Sequence, residues 1–66
     1  MTTYTELEDA ALRAEMARNW LHAADLWRHA EIVAVGYSAA VRCIQAEKEC
    51  RERAAEMMAH QGTPLL

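Results

Sequence analysis

The fold of this chain is decided by residues 20–36, which read WLHAADLWRHAEIVAVG. Apolar side chains in this stretch recur at helical spacing and cover most of a helix circumference, and Trp20 and Trp27 share one face. The polar residues form a narrow wedge of His22, Asp25, Arg28 and His29. A helix this apolar is buried from more than one direction. We therefore expect a central helix over 20–35, closed by Gly36 in the left-handed conformation.

The composition of the chain favours helix throughout. Only two Gly and one Pro occur among 66 residues, 53% of the chain is hydrophobic, and Phe is absent. This length fits one small domain and excludes multidomain enzymes and large cofactor-binding folds. Residues 1–61 are predicted to form that domain, and residues 62–66, which contain Gly62 and Pro64, a short flexible C-terminal tail.

Two more helices flank the central one in the predicted fold. Thr3 and Glu6, like Thr5 and Glu8, fit a capping box, so the first helix is predicted over 4–18. Asn19 is the expected N-cap of the second helix, and Ser38 that of a third helix over 38–60. The fold class is therefore all-α: a helix–turn–helix hairpin followed by a longer third helix.

The core is predicted from the faces that these helices turn towards one another. Small and apolar residues at helical spacing fill it, because small side chains let helices approach closely. Trp27 is expected to be buried and Trp20 to lie nearer the surface. The predicted core residues are Leu7, Ala14, Ala24, Leu26, Trp27 and Ala30.

A domain of this size gains little stability from a single core, so we expect a homodimer. Two cysteines cannot form a disulfide framework, and no four-ligand zinc pattern occurs. The third helix carries a row of small residues that resembles a coiled-coil contact and projects beyond the hairpin. The predicted dimer interface is Ala39, Cys43, Ala46, Cys50, Ala54 and Met57.

Some apolar side chains are left over once the core and the dimer interface are assigned. Leu12 and Met16 lie on the side of the first helix opposite its alanine face, and Leu21 and Ile32 share a flank of the second. We predict that these residues and a partly exposed tryptophan bind a protein partner: Leu12, Met16, Trp20, Leu21 and Ile32.

The chain offers no constellation typical of catalysis, so we expect no enzymatic activity, catalytic residue or cofactor. Ser38 is the single serine, and no Gly-rich phosphate loop occurs. His22 and His29 are seven residues apart and cannot converge on one metal ion without further ligands. Cys43 and Cys50 are also seven apart, about 10.5 Å along a helix, which is too far for a disulfide within one chain.

The charge pattern disfavours direct binding to nucleic acid. The formal net charge is −3, and acidic residues interleave with the basic cluster of Lys48, Arg51 and Arg53. No stretch resembles a signal peptide, and no apolar run approaches the length that spans a bilayer. We therefore expect a cytoplasmic protein that does not contact membranes.

The first two predicted helices contain a family-like motif. It runs Ala14-Glu15-x-x-Arg18-Asn19-Trp20-x-x-Ala23-Ala24-x-Leu26-Trp27-x-x-Ala30, and Cys50-Arg51-x-Arg53-Ala54-Ala55 fits a further element in the third helix. This pattern resembles the ANR family, the small bacterial negative regulators of AraC-type transcription activators. The resemblance covers about residues 4–55.

The resemblance implies a dimeric helical protein that binds an AraC-type activator directly and prevents its action at promoters. Two other readings stay open. PerC-type activators have a similar appearance, which would make the chain a small DNA-binding transcription regulator, and a generic helical homodimeric interaction module would share the same alanine and aromatic spacing.

Overall fold

The computed structural model describes residues 3–62, with side chains for residues 3–59, and consists there of three α-helices without a strand. Helix α1 spans Tyr4–Met16, α2 spans Trp20–Val33 and α3 spans Tyr37–Gly62. The all-α prediction of a hairpin followed by a longer third helix is confirmed. Gly62 still belongs to α3, so the predicted tail does not begin there; its other residues, 63–66, lie outside the described part of the chain.

Helix α1 begins at the predicted capping box. The backbone N–H of Glu6 donates to Thr3 Oγ1 at 3.2 Å, and the backbone N–H of Thr3 donates to Glu6 Oε1 at 2.9 Å. These two bonds satisfy N–H groups that would otherwise lack partners at the helix start. Of the two alternatives in the sequence, the structure uses Thr3.

Helix α1 ends two residues earlier than predicted, in a Schellman motif. The N–H of Arg18 donates to Glu15 O at 2.9 Å, and the N–H of Asn19 donates to Ala14 O at 2.8 Å. Arg18 holds the left-handed position, with φ 60°, that glycine usually occupies. Asn19 precedes α2 as expected, but its side chain makes no capping hydrogen bond, and its backbone, with ψ 73°, lies outside the extended region typical of a capping residue.

The connection between α2 and α3 differs from its prediction in two details. Helix α2 ends at Val33, and Gly36, with φ 99°, lies three residues further on rather than directly capping α2. Gly36 O accepts the N–H of Ala40 at 3.3 Å, so Gly36 stands at the start of α3. Ser38 is consequently inside the first turn and is not the N-cap.

Helix α2 lies between the other two helices, and the core forms around Trp27, which is 2% exposed. Ala14, Ala24 and Ala30 are also buried as predicted, while the predicted core residues Leu7 and Leu26 are partly buried against this cluster. The buried apolar residues are Ala11, Ala14, Ala23, Ala24, Trp27, Ala30, Cys43, Cys50 and Ala54. The core therefore consists of one large side chain surrounded by small ones.

The face of α3 that we predicted to be a dimer interface is in large part covered by the chain itself. Cys43, Cys50 and Ala54 are buried. Cys43 Sγ lies 3.8 Å from the hydroxyl of Tyr4, and Cys50 Sγ lies 3.5 Å from Glu15 Oε2, so α1 reaches this face. The assignment of these three cysteine and alanine positions to a dimer contact is thus corrected: they pack within one chain.

The other three residues of that predicted interface are more accessible. Ala39 and Ala46 are partly buried, with Ala46 packed against the core, and Met57 is exposed. At 26 residues, α3 is about 39 Å long against roughly 20 Å for each of the others. The molecule is accordingly elongated, with extents of 49 × 20 × 15 Å.

Candidate functional site

A patch of exposed and half-buried apolar side chains surrounds the turn between α1 and α2. We call it the α1–α2 end, and it consists of Met16, Trp20, Leu21, Met57 and Met58. Met16 is 84% exposed, and Leu21 and Met58 are exposed as well. Trp20 is half-buried, with its ring packed against the core cluster. The exposure expected for Met16, Trp20 and Leu21 is thus observed.

Two shallow clefts meet at Trp20 in this patch. The first, of about 170 Å³, lies between the turn and the side chains of Met57 and Met58. The second, of about 470 Å³, is lined by Glu15, Met16, Arg18 and Trp20 on one side and by Arg53, Glu56 and Met57 on the other. Apolar surface ringed by charges of both signs is typical of protein-binding sites.

The position of Trp20 is held by a cationic neighbour from α3. The guanidinium carbon of Arg53 lies 5.3 Å from the centre of the Trp20 ring, within the range of a cation–π contact. Methionine side chains beside this ring can adapt to different partner shapes because they are unbranched and polarisable. The site thus combines one oriented aromatic ring with adaptable surroundings.

The structure does not bring all five predicted partner-binding residues together. Leu12 is exposed on α1 but lines neither of the two clefts at Trp20. Ile32 lies eleven residues beyond Leu21 on α2, about 16 Å along the helix. It lines a different cleft with Leu7, His29 and Val33. Met16, Trp20 and Leu21 are therefore the predicted residues that share one site.

A second group of exposed apolar residues lies at the opposite end of α2, and of its members the sequence analysis had singled out Ile32 alone as exposed. We call it the α2–α3 end, and it consists of Ile32, Val33, Val35 and Tyr37. Val35 is 92% exposed, Tyr37 85% and Ile32 72%. The signal that marks it is the absence of any charged residue from 32 to 41. We had extended the second helix to residue 35, whereas α2 ends at Val33, because periodicity does not show where a helix ends.

The interior contains a polar contact that joins all three helices. Trp27 Nε1 donates to Glu15 Oε2 at 2.6 Å, and the Cys50 thiol lies 3.5 Å from the same oxygen. Burial, assisted by the Glu15 charge and this hydrogen bond, raises the pKa of the Cys50 thiol from 9.0 to about 11. Burial and the hydrogen bond with Cys43 likewise raise the pKa of Tyr4. The Cys50 thiol is accordingly protonated and unreactive at neutral pH.

Basic side chains of the described residues are largely engaged with acidic or aromatic neighbours. Ion pairs join Arg13 to Asp9 at 3.1 Å, Arg42 to Glu8 at 3.2 Å and Arg51 to Glu47 at 2.8 Å, and Arg53 covers Trp20. The Arg42–Glu8 pair also links α3 to α1. This interleaving gives no continuous positive track of the kind that follows a phosphate backbone.

The described part of the chain has neither a cluster of metal-binding side chains nor a helix able to cross a membrane. Among the described residues, His, Cys, Asp and Glu side chains nowhere gather in a group of three or more that could hold a metal ion. None of the helices in the described part of the chain combines the length and hydropathy needed to cross a bilayer.

Comparison with known proteins identifies no relative of this chain. No protein-family model matches the chain, and no curated protein sequence or solved structure is significantly similar to it.

Proposed function

We propose that this protein is a cytoplasmic, non-enzymatic transcription regulator of bacterial type that binds an AraC-type activator and blocks its action. The observation that carries the proposal is the α1–α2 end, where Met16, Trp20 and Leu21 meet Met57 and Met58 of α3. Trp20 also belongs to the motif that resembles the ANR family. Surface of this kind is suited to protein contact, since aromatic anchors surrounded by apolar residues dominate binding energies.

The proposed mechanism is competition for the active arrangement of the activator. An activator that must dimerise or orient two domains exposes apolar surface while it rearranges. The α1–α2 end would have to bind that surface more tightly in the inactive arrangement than in the active one. Repression then increases with the ratio of the two affinities. Catalytic turnover and cofactors have no part in this mechanism.

Charge favours this proposal over the alternative of a PerC-like DNA-binding regulator. The net charge is −3, and Arg13, Arg42 and Arg51 are paired with carboxylates. Releasing such pairs to bind phosphate would cost part of the electrostatic energy that DNA binding gains. The same acidic balance suits contact with a basic DNA-binding protein.

The test is a binding assay with the purified activator together with a promoter reporter. Met16→Glu/Leu21→Glu places two charges in the α1–α2 end. We expect it to weaken activator binding by about 30-fold or more, because the loss of each apolar side chain costs over ~1 kcal/mol of binding free energy. Repression in the reporter should fall with it. Circular dichroism establishes that the variant is folded, which we expect because both side chains are exposed.

A matched control adds the same charges elsewhere. Gln45→Glu/Ala55→Glu alters two exposed positions of α3 and should leave both binding and repression unchanged. Equal losses in the two variants would point to net charge rather than to the site. A wild-type protein that shifts promoter DNA by itself at physiological salt, without activator, would establish the DNA-binding alternative instead.

A further inference from the structure

Three of the four methionines in this chain lie in one place. Met16 is the last residue of α1, and Met57 and Met58 lie near the end of α3. Although Met16 and Met57 are far apart in the sequence, both line the larger cleft at Trp20, and Met57 and Met58 line the smaller one. The fourth, Met1, lies outside the described residues. Every methionine in the described part of the chain thus belongs to the surface that we propose binds the target.

The three side chains are open to small molecules in solution. Met16 is 84% exposed, Met58 63% and Met57 38%, and none of them belongs to the buried core. A thioether on the surface is a common target of oxidants, which convert it to a sulfoxide. A dissolved oxidant therefore reaches Met16 most easily and Met57 least easily. Because all three lie outside the core, an added oxygen atom displaces no core side chain.

The cysteines are shielded from the same oxidant. Cys43 and Cys50 are 0% and 2% exposed. Oxidants attack the thiolate form of cysteine, so both access and pKa control the reaction. Burial, assisted by the Glu15 charge, raises the pKa of Cys50 to about 11, which makes its thiolate scarce at neutral pH. Oxidation is therefore directed to the exposed methionines instead of the thiols.

The modification is a two-electron transfer of oxygen. The methionine sulfur donates a lone pair to one oxygen of hydrogen peroxide, and the O–O bond breaks. The transferred oxygen passes its proton to the other, which leaves as water. The thioether is thereby oxidised to a sulfoxide and the peroxide is reduced. Methionine sulfoxide reductases reverse the step with two electrons from a dithiol, which becomes a disulfide while the oxygen leaves as water.

Oxidation changes the property on which contact at this end depends. A sulfoxide is polar and accepts hydrogen bonds, whereas the thioether that it replaces is apolar. Burial of the sulfoxide against an apolar partner leaves its oxygen without a donor, which is unfavourable. Trp20 remains oriented by Arg53, whose guanidinium carbon lies 5.3 Å from the ring centre. The oxidised α1–α2 end therefore keeps its aromatic ring but loses the apolar side chains around it.

We propose that Met16, Met57 and Met58 form a reversible oxidation site, where hydrogen peroxide produces methionine sulfoxide and so lowers the affinity of the α1–α2 end for its protein target. The loss of affinity rests on the proposed function, whereas the position of the site and its preference over the cysteines do not. Oxidising conditions then release the target, and a sulfoxide reductase restores its binding.

The first experiment maps the oxidised positions. Wild type is treated with hydrogen peroxide at neutral pH, its remaining thiols are blocked after denaturation, and its peptides are analysed by mass spectrometry. We expect one added oxygen first at Met16, then at Met58 and last at Met57, with Cys43 and Cys50 recovered as blocked thiols. Oxidation of the cysteines before these methionines overturns the proposal, as does a Met16 that stays unmodified.

The second experiment measures the change in the surface without a target. Retention of the folded protein on a phenyl matrix reports its exposed apolar side chains, and we expect oxidation to shorten it in wild type. The circular dichroism spectrum should not change, because the modified side chains lie outside the core.

The matched control for this measurement is Met16→Leu/Met57→Leu/Met58→Leu, which keeps apolar side chains of similar volume but has no thioether at this end. Its retention should not respond to peroxide. An equal shift in wild type and in the leucine variant overturns the proposal, as does unfolding of the oxidised wild type.

The third experiment connects the site with the proposed function. Binding of the purified activator is measured with untreated, oxidised and reductase-treated wild type, after the peroxide has been removed so that the activator is not oxidised. We expect oxidation to weaken binding about tenfold or more and the reductase to restore it. Equal affinities of oxidised and untreated wild type overturn the proposal. Untreated wild type that binds no activator contradicts the proposed function, and the first two experiments then decide the oxidation site by themselves.

Discussion

Replacement of Trp27 by alanine is expected to unfold this protein, or nearly so. Removing a buried tryptophan costs about 3–5 kcal/mol through lost transfer energy and the cavity left behind. A domain of this size rarely has more than ~3–5 kcal/mol in total. Trp27 is 2% exposed and is the one large side chain within the buried core. The surrounding alanines are too short to fill the space that the indole leaves.

A polar effect adds to the cavity. Trp27 Nε1 donates to Glu15 Oε2 at 2.6 Å, so alanine also leaves that carboxylate without its indole donor. A hydrogen bond to a charged group contributes about 1.5–3 kcal/mol. Trp27→Phe separates the two effects, because it keeps an aromatic ring and removes the N–H. We expect it to be folded but destabilised by about 2 kcal/mol.

Urea denaturation followed by circular dichroism measures these changes, at one fixed protein concentration because association would contribute to stability. Trp20→Ala is the matched control, since Trp20 is half-buried and its ring is partly covered by Arg53. It should lower the free energy of unfolding by clearly less than Trp27→Ala. Small and equal shifts in both alanine variants would refute the argument that the core is centred on Trp27.

Two other predictions follow from the backbone and from the buried thiol. Arg18 has φ 60°, which glycine adopts more easily than arginine, so Arg18→Gly should raise the free energy of unfolding by about 0.5–1 kcal/mol. Gly36 has φ 99°, so Gly36→Ala should lower the free energy of unfolding by about 1–2 kcal/mol. Urea midpoints that move in the opposite directions would contradict this. Because the pKa of Cys50 is raised from 9.0 to about 11, the stability that its neutral thiol contributes is fully present below pH 9 and is lost as the pH rises through 11. Urea midpoints should therefore fall over this range, and Cys50→Ala should reduce the fall; an identical pH profile in that variant would exclude Cys50 as a cause.

Local features were predictable because they depend on neighbouring residues. The capping box at Thr3 sets the start of α1, and alanine-rich periodicity gives three helices and a buried Trp27. The exposure of Met16 and Leu21 follows from the same periodicity, since they lie off the alanine faces. Helix ends were less predictable: Asn19 and Ser38 favour capping by residue type, but the Asn19 side chain makes no capping bond and α3 begins one residue before Ser38.

By itself, the sequence determined the number and order of the helices and the side of each helix that is apolar. Only the tertiary structure decided which neighbour covers each face. Periodicity shows that Cys43 and Cys50 share a face, but part of its cover comes from Tyr4 and Glu15, which are 39 and 35 residues away along the chain. Contacts over such separations depend on how the helices are arranged, and side-chain spacing within one helix carries no information about that arrangement. For the same reason, Val35 could be placed inside the second helix until the fold ended α2 at Val33 and left Val35 92% exposed.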